Sequence, residues 1–261
     1  VTAFRVFFIG GAISYRALFN WARPAYYIPT MLGSPLFQIL FFTYLGKYSK
    51  AGAPTFFIVG NAMQVSSMAG IYGSTMTIAN ERQYGTLAPL LATPANRAAL
   101  FLGRALPNLA NGLIVTVFGF AVGYTLLDFR MPASSVPALA LVVLVTTLSC
   151  TLFGMVLGSA GLRARDVFFV SNVVYFLMLL VCGVNVPRSS LPGWLQDVGA
   201  VLPLTHGIEA ARQIAGGASL ASVRGPVLLE LGIGLAWGAV AYALFRWFER
   251  EGRRHAALDR F

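Results

Sequence analysis

Six long apolar runs divide this chain, at about Tyr26–Leu45, Phe56–Ala79, Ala98–Leu127, Val136–Leu162, Val167–Val186 and Val227–Phe248. An α-helix of about 20 residues crosses the hydrocarbon core of a bilayer, and each run has that length. Residues within the runs do not alternate apolar with polar, which excludes the strands of a membrane barrel. Only 11% of the 261 residues are charged, against about 25% in soluble domains. The sequence therefore predicts an all-α polytopic membrane protein with six transmembrane helices in one domain, 1–261.

The charge pattern sets the expected topology. Thirteen of the 19 Lys and Arg fall on one set of segments or on the run ends beside them: before the first run, between runs two and three, between runs four and five, and after run six, with Arg104 and Arg246 just inside the flanking runs. The other six are Lys47, Lys50, Arg130, Arg188, Arg212 and Arg224. Cytoplasmic loops carry the excess of Lys and Arg, so both termini are expected in the cytoplasm of a multi-pass protein of the inner or plasma membrane. The net charge of +10 is read as this asymmetry, and nucleic acid is not expected as a partner because no separate basic domain exists.

Two flanking segments are expected to lie against the membrane. Residues 1–25 include "YRALFNWARP", where Arg16 and Arg23 alternate with Leu18, Phe19 and Trp21. That pattern suits an N-terminal interfacial amphipathic helix; the competing reading is the cytoplasmic end of a long first span. No signal-peptide cleavage site is read here. Between runs five and six, residues 187–226 hold two short helical patterns, Leu191–Leu202 and Leu204–Ala215, separated by Pro203. They are too short to span and are expected as two extracellular re-entrant helices.

Several chemistries are absent from the sequence. It contains no G-x-x-x-x-G-K-[ST] loop and no H-E-x-x-H, so no catalytic residue, metal ligand or cofactor is assigned to this chain. Asp128, Asp166 and Glu230 fall at or near the ends of runs, and no ionisable residue is expected at mid-membrane, where ion-coupled carriers place one. His206 and His255 are expected to be solvated or interfacial. Cys150 and Cys182, each inside an apolar run, are expected to be packed free thiols.

The stretch "NERQYGTLAPLLATPANR", residues 80–97, interrupts the apolar pattern on the expected cytoplasmic side. Glu81 and Arg82 are charged anchors. Gly85 permits a backbone bend, and Thr86 suits a helix cap. Leu87, Leu90 and Leu91 share one helical face, and Pro94 ends the helix. The result is a short amphipathic helix able to dock in a groove of a partner. A surface loop with its leucines on lipid is the competing reading.

This stretch resembles the cytoplasmic signature of membrane subunits of type-2 ATP-binding-cassette exporters, in the multidrug and antibiotic-resistance-like branch. The matching residues are Glu81, Gly85, Thr86, Leu87, Leu90, Leu91, Thr93, Pro94 and Arg97. Ala88 stands where that family often has an acidic residue. The resemblance implies a non-catalytic permease subunit with residues 80–97 as the coupling helix. It also implies two cytoplasmic ATPase subunits that bind ATP and Mg, and a second permease, identical or paralogous. "GLRARD", with Arg163, Arg165 and Asp166, would be a second cytoplasmic contact. Asn61, Gln64, Ser67 and Met68 in run two, with Asn172, Tyr175 and Met178 in run five, would face the pathway or the dimer interface. Polar residues such as Asn61 and Gln64 equally serve to bond helices together. The substrate expected is an amphiphilic drug or lipid, with polysaccharide or lipid-linked glycan as the alternative cargo. A secondary carrier and a membrane scaffold are the competing functions.

Overall fold

The computed structural model describes Arg5, residues 7–9, Gly11, and residues 28–50, 52–83, 97–160 and 167–255. Eight α-helices are found among them. They are α1 (Ser34–Ser49), α2 (Pro54–Gln83), α3 (Arg97–Leu126), α4 (Val136–Ala160), α5 (Val167–Val181), α6 (Gly193–Val201), α7 (Thr205–Ala215) and α8 (Arg224–His255). A π-helical turn, Ile28–Gly33, leads into α1. Each apolar run thus contains one helix, and the two short patterns after run five become α6 and α7. The expected interfacial helix at 1–25 falls almost wholly outside the described residues.

Helix ends follow local chemistry. Lys50 closes α1 in the left-handed region at φ 53, and its N–H returns to the Gly46 and Lys47 carbonyls. The fifth run predicts a helix to Val186, but α5 stops at Val181. Gly183 adopts φ +78, a conformation that glycine takes without a Cβ clash and that commonly ends helices. Residues beyond it turn towards α6.

Three stretches are long and apolar enough to cross a membrane: Ala105–Leu126, Ala133–Ser159 and Arg224–Trp247. The helix α2 has ample length, 30 residues, but a different composition. It packs most extensively against α4 and α3 and also touches α1, α5 and α7. Residues 57–67 are all buried. A helix enclosed by other helices need not be lipid-like on any face, which is how α2 carries Asn61, Gln64, Ser66 and Ser67 at full burial.

The α2–α4 crossing depends on absent side chains. A Cβ on Gly154 would lie 2.8 Å from the Gly70 carbonyl oxygen and from Ile71 Cα. The backbones approach closely enough for the Thr75 hydroxyl to donate to the Gly154 carbonyl at 3.0 Å. Small residues at such contacts let helices associate where lipid removes the hydrophobic drive. Around this crossing the core includes Ile58, Met63, Ile71, Phe153 and Met178, and Ile208 of α7 closes it at one end. Cys150 and Cys182 are both buried free thiols.

Candidate functional site

A chain of neutral polar side chains runs through the contact of α1, α2 and α5. Gln38 of α1 donates from Nε2 to Asn61 Oδ1 at 3.1 Å. Asn61 Nδ2 donates to Asn185 Oδ1 at 2.7 Å and to the Phe57 carbonyl at 2.9 Å. The Tyr175 hydroxyl donates to Gln38 Oε1 at 3.0 Å. The Tyr175 ring meets the Tyr72 ring edge-on at 5.9 Å, and the Tyr72 hydroxyl donates to Asn172 Oδ1 at 2.7 Å. Phe168 leans on Tyr72 from the α5 side. The seam thus joins Asn185, Asn61, Gln38, Tyr175, Tyr72 and Asn172 with no carboxylate, Lys or Arg among them.

Gln64 is the exception within this seam. It is fully buried; its amide lies beside the Tyr175 hydroxyl, yet neither Oε1 nor Nε2 makes a hydrogen bond of good geometry. Buried amides are nearly always satisfied, so Gln64 holds unused donor and acceptor capacity beside a connected network. Seam members can orient a solute by hydrogen bonds to hydroxyl, carbonyl or amine groups, while Tyr72, Tyr175 and Phe168 offer ring faces and edges.

The pathway residues expected from the sequence divide clearly, since the structure brings Asn61, Gln64, Asn172 and Tyr175 to the seam. Ser67 is buried and bonds its own helix at the Gln64 carbonyl. Met178 is fully buried in the core, and Met68 is half-buried. Gln38, Tyr72 and Asn185 join the seam beyond those expected. Tyr72 extends the 61, 64, 68 spacing of one helical face, and Gln38 is a lone amide within an apolar run; both are signals the sequence carries. Asn185 sits beyond the end of α5, and nothing in the sequence ties it to Asn61.

Two charged residues at the α6–α7 end also matter more than their sequence positions suggest. Arg212 of α7 donates from Nη2 to the Phe56 carbonyl at 3.0 Å and the Val184 carbonyl at 2.9 Å. Its guanidinium lies 3.5 Å above the Phe56 ring, a cation–π contact. Glu230 of α8 is near a run end as expected, yet it is fully buried. His206, expected to be solvated or interfacial, is partly buried: its side chain is 13% exposed, and Nε2 lies 3.1 Å from the Ala200 carbonyl.

Of the expected coupling residues, Glu81 and Arg82 continue the backbone of α2, and Arg97 begins α3. Gly85, Thr86, Leu87, Leu90, Leu91, Thr93 and Pro94 lie outside the described residues, as do Arg163, Arg165 and Asp166.

The model of the ABC-2 type transporter family matches residues 11–215, most of the chain, from before α1 through α7. The chain belongs to that family. Among relatives, it is 28% identical over 193 residues to the probable multidrug ABC transporter permease YbhR of Escherichia coli, covering 73% of this chain and 52% of the relative. The chain thus spans about half the length of that relative. It is 29% identical over 242 residues to the probable doxorubicin resistance ABC transporter permease protein DrrC of Mycobacterium tuberculosis, covering 86% of this chain and 80% of the relative. The inner membrane transport permease YhhJ of Escherichia coli is 25% identical over 187 residues, 69% of this chain and 48% of the relative. As an ABC-2 chain with apolar helices of spanning length, this is a helical membrane protein.

Proposed function

We propose that this chain is the permease subunit of an ATP-driven exporter that moves an amphiphilic drug or lipid-like molecule across the inner or plasma membrane. The observation that carries this reading is ABC-2 membership across most of the chain. Relatives named for multidrug and doxorubicin resistance favour the amphiphilic cargo. In this reading α1 to α5 and α8 are six spans, both termini are cytoplasmic, and α6 and α7 re-enter from the outer face. Residues 80–97 form the coupling helix that receives force from two cytoplasmic ATPase subunits, which hold ATP and Mg. Gly161–Asp166 makes a second contact.

A second permease subunit packs across the face formed by α1 and α5. Phe37 and Phe41 of α1 and Phe169 and Phe176 of α5 are exposed there, beside the neutral seam. Substrate meets Gln64 and the seam tyrosines at that junction. The seam holds no charge, so the group it recognises is neutral and hydrogen-bonding, attached to an apolar body. An ion-coupled carrier needs a carboxylate facing a pathway, and Glu230, enclosed and bonded to backbone amides, does not supply one.

The test is affinity purification from native membranes followed by efflux from vesicles. Co-purification of a phosphate-loop ATPase and export that stops when that ATPase is inactivated are expected. Export that continues without the ATPase would overturn the proposal.

A further inference from the structure

An ionised acid is costly to enclose in an apolar bundle unless it is compensated. Glu230 is fully buried in α8, and no Lys or Arg among the described residues pairs with it. Its compensation comes from backbone. The Leu204 N–H donates to Oε1 at 2.7 Å, and the Gly207 N–H donates to Oε2 at 3.1 Å. Both amides lie at the start of α7, where a helix leaves its N–H groups unpaired and its dipole favours an anion. No side chain of the Leu204 cap position satisfies them, and the Thr205 hydroxyl is committed to the Gly199 carbonyl. Glu230 therefore caps α7 from a different helix.

The residue it holds is strained. Leu204 has φ 86 and ψ −34, a backbone region rare for residues with a Cβ. Strained backbone persists where its surroundings over-determine it, and here the surroundings are the Glu230 carboxylate and full burial of the leucine. Further along α7, Arg212 ties the same helix to the start of α2 and the end of α5. Two charged side chains thus clamp α7, each bonded to backbone rather than to the other.

We propose that Glu230 is a positioning residue that latches the α6–α7 corner onto α8. Losing its two hydrogen bonds frees that corner as a unit while the α2–α4 core stays closed. On the exporter reading above, and resting on it, the latch is the joint that opens when solute leaves by the α6–α7 end.

The chain carries its own reporters. Cys182 Sγ lies 3.7 Å from the Pro203 carbonyl, against the latched corner. Cys150 is equally buried and follows Ser149, whose hydroxyl donates to the Glu230 backbone carbonyl at 2.7 Å, so both thiols lie near the latch and the control is taken from the buried α2 segment 57–67. The full-length chain in native membrane vesicles is treated with N-ethylmaleimide, and each thiol is followed by peptide mass spectrometry. Both should react slowly in the unmodified chain. Glu230→Ala should raise the Cys182 rate on the order of tenfold, with amide hydrogen exchange across the buried α2 segment 57–67 unchanged, because the rate tracks the population of the locally open form. Glu230→Gln keeps one acceptor oxygen and should give a smaller rise; it also carries the test should the alanine variant fail to reach the membrane. A Cys182 rate unchanged in the variants overturns the latch. So does a parallel rise in amide exchange across 57–67, which marks general loosening. The assay needs neither ATPase nor substrate, so its failure is separate from failure of ATP-dependent efflux.

Discussion

Gln64 and Asn61 are neighbours on α2, both amides and both fully buried, yet their hydrogen bonding is opposite. Asn61 bonds Gln38, Asn185 and the Phe57 carbonyl, whereas the Gln64 side-chain amide makes no hydrogen bond of good geometry. Removing a satisfied partner strands the groups left behind, at about 1–3 kcal/mol. Asn61→Ala should therefore lower the thermal unfolding temperature of the purified chain in detergent, as Gln38 and Asn185 lose their partner. Gln64→Leu removes an unsatisfied amide and conserves volume, so stability should hold or rise by up to about 1–3 kcal/mol. If Gln64 meets substrate, the same change should slow vesicle efflux of hydrogen-bonding amphiphiles. A stable Gln64→Leu chain with unaltered efflux of every such substrate would remove Gln64 from the pathway.

At the scale of elements, the α2–α4 crossing sets a limit on size. The atoms nearest a Gly154 Cβ are backbone atoms of Gly70 and Ile71, which cannot rotate aside as a side chain can. Gly154→Val should push the helices apart and destabilise the chain by about 1–3 kcal/mol or more, read as a lower unfolding temperature or reduced accumulation. Gly193→Ala, with nothing within 4 Å of its added Cβ, should leave both unchanged. In the stretch between α2 and α3, Leu90→Asp would place a charge on the leucine face, where burial in an apolar groove is costly. It should reduce ATPase recovery in a pull-down, and normal recovery would count against docking there. The helices are legible in the sequence because each apolar run is long and separated by charge or proline. Asn61 and Tyr175 stand out as polar residues within such runs. Asn185 does not, since its bond to Asn61 crosses 124 positions and no periodicity encodes a contact at that distance. The burial of Glu230 is hidden for a related reason: nearness to a run end suggests headgroups, but α6 and α7 fold over that end and enclose it.

For the whole molecule, the question is whether successive helices alternate in direction. Several contacts gather at one end of the bundle. A Cβ on Gly46, near the end of α1, would strike the Phe57 ring at the start of α2. Arg212 joins that start to Val184 beyond the end of α5. A Cβ on Gly217, after α7, would sit 3.8 Å from Pro132, between α3 and α4. In the topology proposed above, this is the outer end. Single cysteines placed at exposed Ser134 and Ser189 should then react with a membrane-impermeant maleimide in intact cells, while one at Ala256 should react only after permeabilisation. The native thiols are buried and give a low background. The two loop sites are separated by α4 and α5, so equal sidedness requires an even number of crossings between them. Ala256 follows α8, and the opposite sidedness requires one more. Labelling of Ala256 from outside would remove α8 as a span or reverse its direction, and the inside-inside topology would fall with it. Labelling of Ser134 and Ser189 from opposite sides would do the same to α4 or α5. The shorter helix, α5, is the one such a result would implicate, because its apolar stretch covers only Phe168–Val181, below the length that spans a bilayer without thinning or tilt adjustment.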